Sequence, residues 1–492
     1  MISKSNNKNL QVSFLVFCSL LIFLGRQLDT GITNFDDAYY AQKAKEILES
    51  GSYWLITYAG KPIFDNPPLP FWFTAWTFSI FGISSYSAIF PSALLATGTV
   101  FLTYRLSLLL FKDYWIAFAS AFVLLFPGGF VDSGRRGMVD IPLAFFVLLA
   151  FFAVFKAKNF KPWYLVFGFS TAGAILTKSI LGLFPIAITG VFFILNRQWR
   201  EIMNPWFLVG VVISIALGFS WHLINWQHYG PSFTSTHFSV LIFDRGFGNI
   251  QDPFYFLGYA KDFLRNYWPW LPFAVVGLIQ FGRRGLQEKD NTSLLLFLWP
   301  TLTFLVMSTS KNHTIRYLFM IFPALAIIVA KTISQWLEPK RKGHALAAMV
   351  LVIALTTLFI NATPFQAKVS LLQSSKEVRE LAATINLNTP PDQKLGNYRL
   401  PAWNPRMAML FYSDRIMDTN VTQSSDQLMK DLASNPAKTW LTSIEDFRKL
   451  KIQNQDKVYL VQANSKYAFF TSIENRENIR YDFSEMHLPI AK

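Results

Sequence analysis

"LPFWFTAWTFSIFGI", residues 69–83, is the stretch on which the architecture turns. It is apolar and rich in aromatic side chains, yet shorter than the ~20 residues that a helix needs to cross a bilayer. Eleven other apolar stretches share the chain with it, near 11–25, 87–111, 114–131, 140–156, 163–177, 181–196, 206–224, 267–282, 292–309, 316–337 and 344–363. With 52% apolar and only 15% charged residues among 492, against roughly 25% charged in soluble domains, this is the composition of a polytopic α-helical membrane protein.

Whether 69–83 spans sets the side on which everything after it lies. If it rests at the interface, the connections "MISKSNNKN", Arg105–Lys112, "KAKNFK", "NRQWREIMN", "RRGLQEK" and "EPKRKG" all fall on one face. They are short and rich in Lys and Arg, as cytoplasmic loops are. A full crossing would move those clusters outside. The charge pattern therefore predicts about 11–13 transmembrane helices in a plasma (inner) membrane, with the N-terminus cytoplasmic. No small-residue cleavage pattern follows the first apolar run, so it reads as an uncleaved helix. The other face then carries loops 26–86 and 225–266. It also carries a C-terminal soluble α/β domain over 365–492, with strand-like pieces "KVYLVQA" and "YAFFTSI". Residues 1–364 form the membrane part.

The net charge of +15 is largely this orientation signal. No nucleic-acid-binding pattern accompanies it. The single Cys18 lies inside the first apolar run, so no disulfide framework exists.

Several charges lie on the unexpected side. Arg135 and Arg136 in "DSGRRGMVD", Lys178 in "LTKSILG", and Lys311 and Arg316 in "STSKNHTIRY" sit at the outer ends of spans. Asp36, Asp37, Asp65, Asp132 and Asp140 share that surface. Singly, each can be explained by snorkelling or interfacial pairing. Gathered from four loops, they suit a site holding an anionic head group beside a carboxylate, since Arg offers phosphate a planar fork and Lys a point charge.

The acid pair stands in "NFDDAYYAQKAKEI", residues 34–47. Taken alone, this helix start is explained by capping: Asn34 serves as N-cap and the aspartates complement the helix dipole. Helical spacing also lines up Asp36, Tyr40 and Lys43 on one face, and Ala41, Ala44 and Leu48 on another. Zincin, nucleophile-elbow, P-loop and zinc-ribbon motifs do not occur. His222, His228 and His237 share one outer loop at spacings that suit no familiar metal site and read as interfacial residues.

In order along the chain, "FDDAYYAQKAKEI", "GKPIFDNPPLPFW", "SGRRGMVD", "LTKSILGLFP", "DPFYFLGY" and "STSKNHTIRYLFMIFPALA" resemble the GT-C membrane glycosyltransferases of the protein O-mannosyltransferase and aminoarabinose (lipid A) transferase type. The resemblance runs from about residue 30 to 335. It implies transfer of a sugar from a polyprenyl-phosphate carrier, such as undecaprenyl phosphate, to a lipid, glycan or protein acceptor at the outer face, with inversion. It makes Asp36 the base, with Asp140 assisting. Lys178, Lys311, Arg316 and Arg245 become contacts for the carrier phosphate. Asp37, Tyr40, Lys43, Asp65, Arg135, Arg136 and Tyr317 complete the candidate binding set. The chain departs from the aminoarabinose branch at Tyr39, where that branch has Arg, and at Asp65-Asn66, where it has Glu-Lys. No cofactor or metal site is carried over.

A carboxylate that takes the proton of an acceptor hydroxyl is typically worth 10²–10⁴-fold, and cations can stabilise the departing phosphate. The competing reading is a transporter or lipid flippase, whose ionisable residues would gather at the midplane on broken helices. A scaffold for envelope glycans is a third.

Overall fold

The computed structural model describes residues 2–25, 31–33, 35–126, 128–244, 257–310, 313–362, 375–401 and 405–481. The helices are α1 (Ile2–Leu24), α2 (Asp36–Ser50), α3 (Leu69–Phe81), α4 (Ser85–Phe111), α5 (Tyr114–Leu125), α6 (Gly128–Gly134), α7 (Asp140–Ala157), α8 (Trp163–Lys178) and α9 (Phe184–Leu195). The bundle continues through α10 (Pro205–Gly218), α11 (Ser220–Tyr229), α12 (Leu271–Leu286), α13 (Asn291–Ser308), α14 (Phe322–Trp336) and α15 (Pro339–Ala362).

Each of the eleven long apolar stretches lies largely in helix over its described residues. Among the described residues, seven helices are long and apolar enough to cross a membrane, or eight if the 74° bent pair α5–α6 is one span. The difference from 11–13 is one of length. α1 is apolar only over Asn9–Leu24, and α12 has 16 residues. The chain doubles back between the stretches read at 163–177 and 181–196: the ring of Tyr164 at the start of α8 lies 6.5 Å from Phe193 near the end of α9. The 3₁₀ turn Ser179–Leu183 makes the reversal. Residues 69–83 form a 13-residue helix of about 20 Å at 1.5 Å per residue, short of a ~30 Å hydrocarbon core.

Local chemistry fixes several helix starts. Ser84 and Ser87 form a reciprocal capping box at α4. Asp113 accepts from Trp115 N (2.8 Å) to open α5. α8 and α10 cross at two glycines. A Cβ on Gly168 would fall 2.5 Å from Gly210 O, and one on Gly210 2.3 Å from Tyr164 O. Small residues at such crossings let two backbones approach within a membrane bundle.

The C-terminal part begins with α16 (Lys376–Asn388) and contains α17 (Arg406–Ser413). Its sheet, in the order β4-β3-β5-β7-β6, is built from β3 (Leu395–Tyr398), β4 (Met417–Thr422), β5 (Thr439–Ser443), β6 (Val458–Ala463) and β7 (Tyr467–Ser472). β3 runs parallel to β4 and β5, while β7 pairs antiparallel with β5 and β6. The two expected strands are β6 and β7, in the register Leu460↔Phe470. A short hairpin joins β1 (Thr57–Tyr58) and β2 (Lys61–Pro62) earlier in the chain.

The two parts share a core. Ala38, Ala41, Ala44 and Ile47 of α2 pack in one buried cluster with Val378, Leu381, Leu441 and Phe469. Lys45 reaches Asp414 and Phe411 O, and Tyr412 Oη meets Ser85 Oγ at 2.7 Å while accepting from Ile32 N at 2.9 Å. The sequence placed Ala41, Ala44 and Leu48 on one face, and that face lies against the C-terminal part.

Gly210→Val should force α8 and α10 apart, at a cost on the order of 1–3 kcal/mol. Thermal unfolding of the detergent-solubilised chain checks this, with Gly190→Val, where an added Cβ meets no atom within 4 Å, as the tolerated control.

Candidate functional site

The site lies where α2, the N-terminus of α7, the C-terminus of α8 and the 3₁₀ segment Ile315–Ile321 converge. Asp36 opens α2, and its Oδ2 accepts from Arg316 Nη1 at 3.0 Å. Asp140 opens α7 and pairs with Lys178, the last residue of α8. Lys178 Nζ sits 4.0 Å above the ring of Tyr317, the neighbour of Arg316 in the chain. The two ion pairs are thus held side by side, and Arg316 feels the charge of Asp140 as well as that of Asp36.

A third pair completes the group. Lys43, fully buried, binds Asp65 from the segment before α3. Its ammonium lies 4.1 Å from the Tyr39 ring centroid and 4.8 Å from that of Phe71. Burial pushes Lys43 below the usual lysine range, and Asp65, Asp36 and Glu46 act in the opposite direction. Tyr40 stands among Asp36, Asp65 and Asp140; its phenol is held well above the ordinary value by burial first and by those carboxylates next. Asp36, Tyr40 and Lys43 share the face that helical spacing predicted.

Asp37 points elsewhere. It is buried, and its carboxylate accepts from Thr33 N at 2.9 Å and Thr33 Oγ1 at 2.5 Å. Burial raises its pKa, while Arg136 and Thr33 lower it. The N-cap of α2 is Phe35 and makes no side-chain capping bond; Asn34 lies outside the described residues. The acid pair is therefore divided, with one carboxylate tying down the incoming chain and the other half-open beside a cation.

The arginine pair also divides. Arg136 bonds Asp132 at 2.8 Å, and its Nη1 and Nε are buried without a hydrogen-bond partner among the described residues. Arg135, expected with the anion-binding set, does not join it: its guanidinium donates to Ile22 O and Gly25 O. The exposed carbonyls at the end of α1 need donors, and Arg135 supplies them. Arg245 and Lys311 lie outside the described residues.

Sequence reading passed over Glu46 and Ser179. Glu46 collects Thr57 Oγ1 (2.6 Å), Ala59 N (2.7 Å) and Gly60 N (3.3 Å), fixing the β1–β2 hairpin and with it Tyr58, whose ring lies 4.5 Å from Tyr39. His222 and His237, read as interfacial, are buried instead. Their Nε2 atoms lie 2.9 and 3.1 Å from Ser179 Oγ, and His237 Nδ1 donates to Phe64 O. Burial depresses His237, with the Phe64 carbonyl and Asp65 opposing, so a neutral ring links the Lys178–Ser179 turn to the segment carrying Asp65. Ser179 holds φ +47°, a conformation that costs a non-glycine residue of order 1–3 kcal/mol and survives only under such restraint. Its place directly after Lys178 was the available signal. Among the described residues, no group of three or more His, Cys, Asp or Glu side chains is arranged to hold a metal ion.

Residues 65–224 match the family model described as dolichyl-phosphate-mannose-protein mannosyltransferase. The chain is 26% identical over 330 residues to an uncharacterized protein of Aquifex aeolicus, covering 66% of this chain and 64% of the relative. It is 24% identical over 337 residues to an undecaprenyl phosphate-alpha-4-amino-4-deoxy-L-arabinose arabinosyl transferase of Shewanella sediminis, covering 64% and 58%. These matches span about three fifths of the length of the curated relatives. In fold, the chain is similar to ArnT from Cupriavidus metallidurans in the apo state, with TM-score 0.70 and 16% identity over 93% of this chain and 97% of that one. The same protein bound to undecaprenyl phosphate gives TM-score 0.68. The family resemblance read from the sequence and the fold class it implied are borne out.

Because the folded pKa of Asp37 lies above its unfolded value, its titration favours the native chain below the unfolded pKa, and that contribution is lost as pH rises through the folded value. Relative to the parent, Asp37→Asn should therefore gain stability from acid to neutral pH. Melting curves of both proteins across that range check the sign.

Proposed function

We propose that this chain is a membrane glycosyltransferase that moves a sugar from a polyprenyl-phosphate carrier, such as undecaprenyl phosphate, to a hydroxyl of a lipid, glycan or protein acceptor, with inversion at the anomeric carbon. The observation that carries this reading is the pair of adjacent ion pairs, Asp36–Arg316 and Asp140–Lys178, at one end of a bundle with the fold of ArnT. The mannosyltransferase-family match supports it, and so does the arabinosyl transferase relative, whose name specifies an undecaprenyl phosphate donor.

The acceptor oxygen attacks the anomeric carbon from the face opposite the phosphate. The new C–O bond forms, the bond to the phosphate oxygen breaks, and the carrier phosphate departs with the electron pair. Asp36, which is half-buried and open on one side, receives the acceptor proton; Asp140 positions the acceptor. Arg316 and Lys178 meet the charge that develops on the leaving phosphate, a stabilisation worth most where water is scarce.

The charge balance suggests how the base is released. Without donor, each carboxylate is matched by a cation: Asp36 by Arg316, Asp140 by Lys178, Asp65 by Lys43. A donor phosphate competes for the Arg316 guanidinium, whose planar fork suits it. Drawing Arg316 away frees Asp36 to accept a proton, so donor binding arms the base. The phosphate contacts assigned to Arg245 and Lys311 belong to the same reading. On this view the site and the C-terminal part face the periplasm of a bacterial inner membrane, and the Lys- and Arg-rich turns face the cytoplasm.

Asp36→Asn in the purified chain should slow transfer of labelled sugar from an undecaprenyl-phosphate donor by about 10²–10⁴-fold with the melting temperature unchanged; transfer near the parent rate sinks the assignment. Orientation is read separately. A cysteine in place of the exposed Ser434 should react with a membrane-impermeant maleimide in cells whose outer membrane is opened. Labelling that requires lysis of the inner membrane reverses the topology.

A further inference from the structure

A polar cavity lies at the opposite end of the bundle from Asp36. It is about 560 Å³ in volume and lies between the α7–α8 connection and the one-turn helix Trp199–Ile202 that follows α9. Lys158, Lys161, Arg197, Arg200, Tyr164 and Glu201 supply its polar lining. α7 connects the two regions: Asp140 at its start belongs to the candidate active site, and Ala157 at its end adjoins Lys158. Its 18 residues set the separation at about 27 Å, close to the thickness of a hydrocarbon core.

The charges in this cavity are not balanced. Glu201 is taken up by Lys161 and by Tyr164 Oη, which donates to it at 2.9 Å. Lys158 feels the charge of Asp290, whose carboxylate is shared with Thr292 N and Ser293 N at the start of α13. Arg197 and Arg200 have no carboxylate partner among the described residues. Asn196, beside Arg197 in the chain, buries its Nδ2 without a hydrogen-bond partner among the described residues. Trp199, 57% exposed, lines the cavity, in the manner of side chains that settle at head-group level. The floor is apolar, formed by Val154, Phe192 and Phe193.

We propose that this cavity is a phosphate-binding site for the head group of an anionic membrane lipid, separate from the donor and acceptor sites. The guanidinium groups of Arg197 and Arg200 meet the phosphate oxygens, and the acyl chains leave along the outer surface of α9. Basic pockets between membrane helices bind anionic head groups by the same electrostatics. Free phosphate shares that chemistry, and the test distinguishes the two.

Native mass spectrometry of the full chain in mild detergent, with phosphatidylglycerol or phosphatidylcholine added, reads occupancy directly. The parent should retain phosphatidylglycerol in preference. The double variant Arg197→Gln/Arg200→Gln should lose that preference by roughly tenfold or more, since each surface cation contributes ~1 kcal/mol toward anionic lipid. Arg197→Lys/Arg200→Lys should keep most of it, which guards against a folding defect. Lys340→Gln/Arg341→Gln removes two exposed charges at the start of α15, outside the cavity lining, and should leave it intact. Equal loss from both glutamine pairs, or no preference in the parent, overturns the proposal. Displacement by millimolar inorganic phosphate supports the anion site with free phosphate as occupant; resistance to displacement supports the lipid head group.

Discussion

Lys178 and Asp140 neutralise each other at the end of a helical bundle, where either alone would be costly. Removing an ion from water costs several kcal/mol even after relaxation, and breaking such a pair leaves an uncompensated buried charge. That constraint orders the region around it. Asp140 must begin α7, and Lys178 must end α8, so the connection between these antiparallel helices falls at the far end. Gly168 and Gly210 bring α10 against α8, and the Ser179 turn sends the chain back as α9. Arg316 and Asp36 then find each other across the space that this arrangement leaves open.

Much of this was legible in the sequence because the bilayer imposes length and polarity on every stretch that enters it. The apolar runs marked the helices, and the Lys- and Arg-rich loops favoured a non-spanning reading of the short 69–83 stretch. The number of crossings was less legible. α1 is apolar only over Asn9–Leu24 and α12 has 16 residues, lengths at the margin for a crossing; the stretches read at 163–177 and 181–196 do reverse between them, with Tyr164 packed near Phe193.

At the candidate site, residue types and order singled out Asp36, Asp140, Lys178 and Arg316, but not their pairing. Asp36 and Asp37 are chemically identical neighbours in sequence. They differ in what surrounds them: Thr33 encloses Asp37, while Asp36 faces Arg316. Arg135 and Arg136 separate in the same way, one serving the carbonyls of α1 and the other Asp132. The roles of Glu46 and Ser179 follow from partners that the residue types do not specify, the hairpin amides for one and two buried imidazoles for the other.

The attachment of Lys45, Ala41 and Ala44 to the C-terminal part has a consequence for protein engineering. α2 presents Asp36 and Lys43 to the site and its other face to the core beneath the five-stranded sheet. The helix that carries Asp36 thus belongs structurally to both halves of the chain. A chimera that exchanges the C-terminal part alone would leave that face of α2 against a mismatched surface and tilt the very carboxylate it was meant to redirect. The transplantable unit is discontinuous: residues 36–50 together with the α/β part, joined by direct packing rather than along the chain.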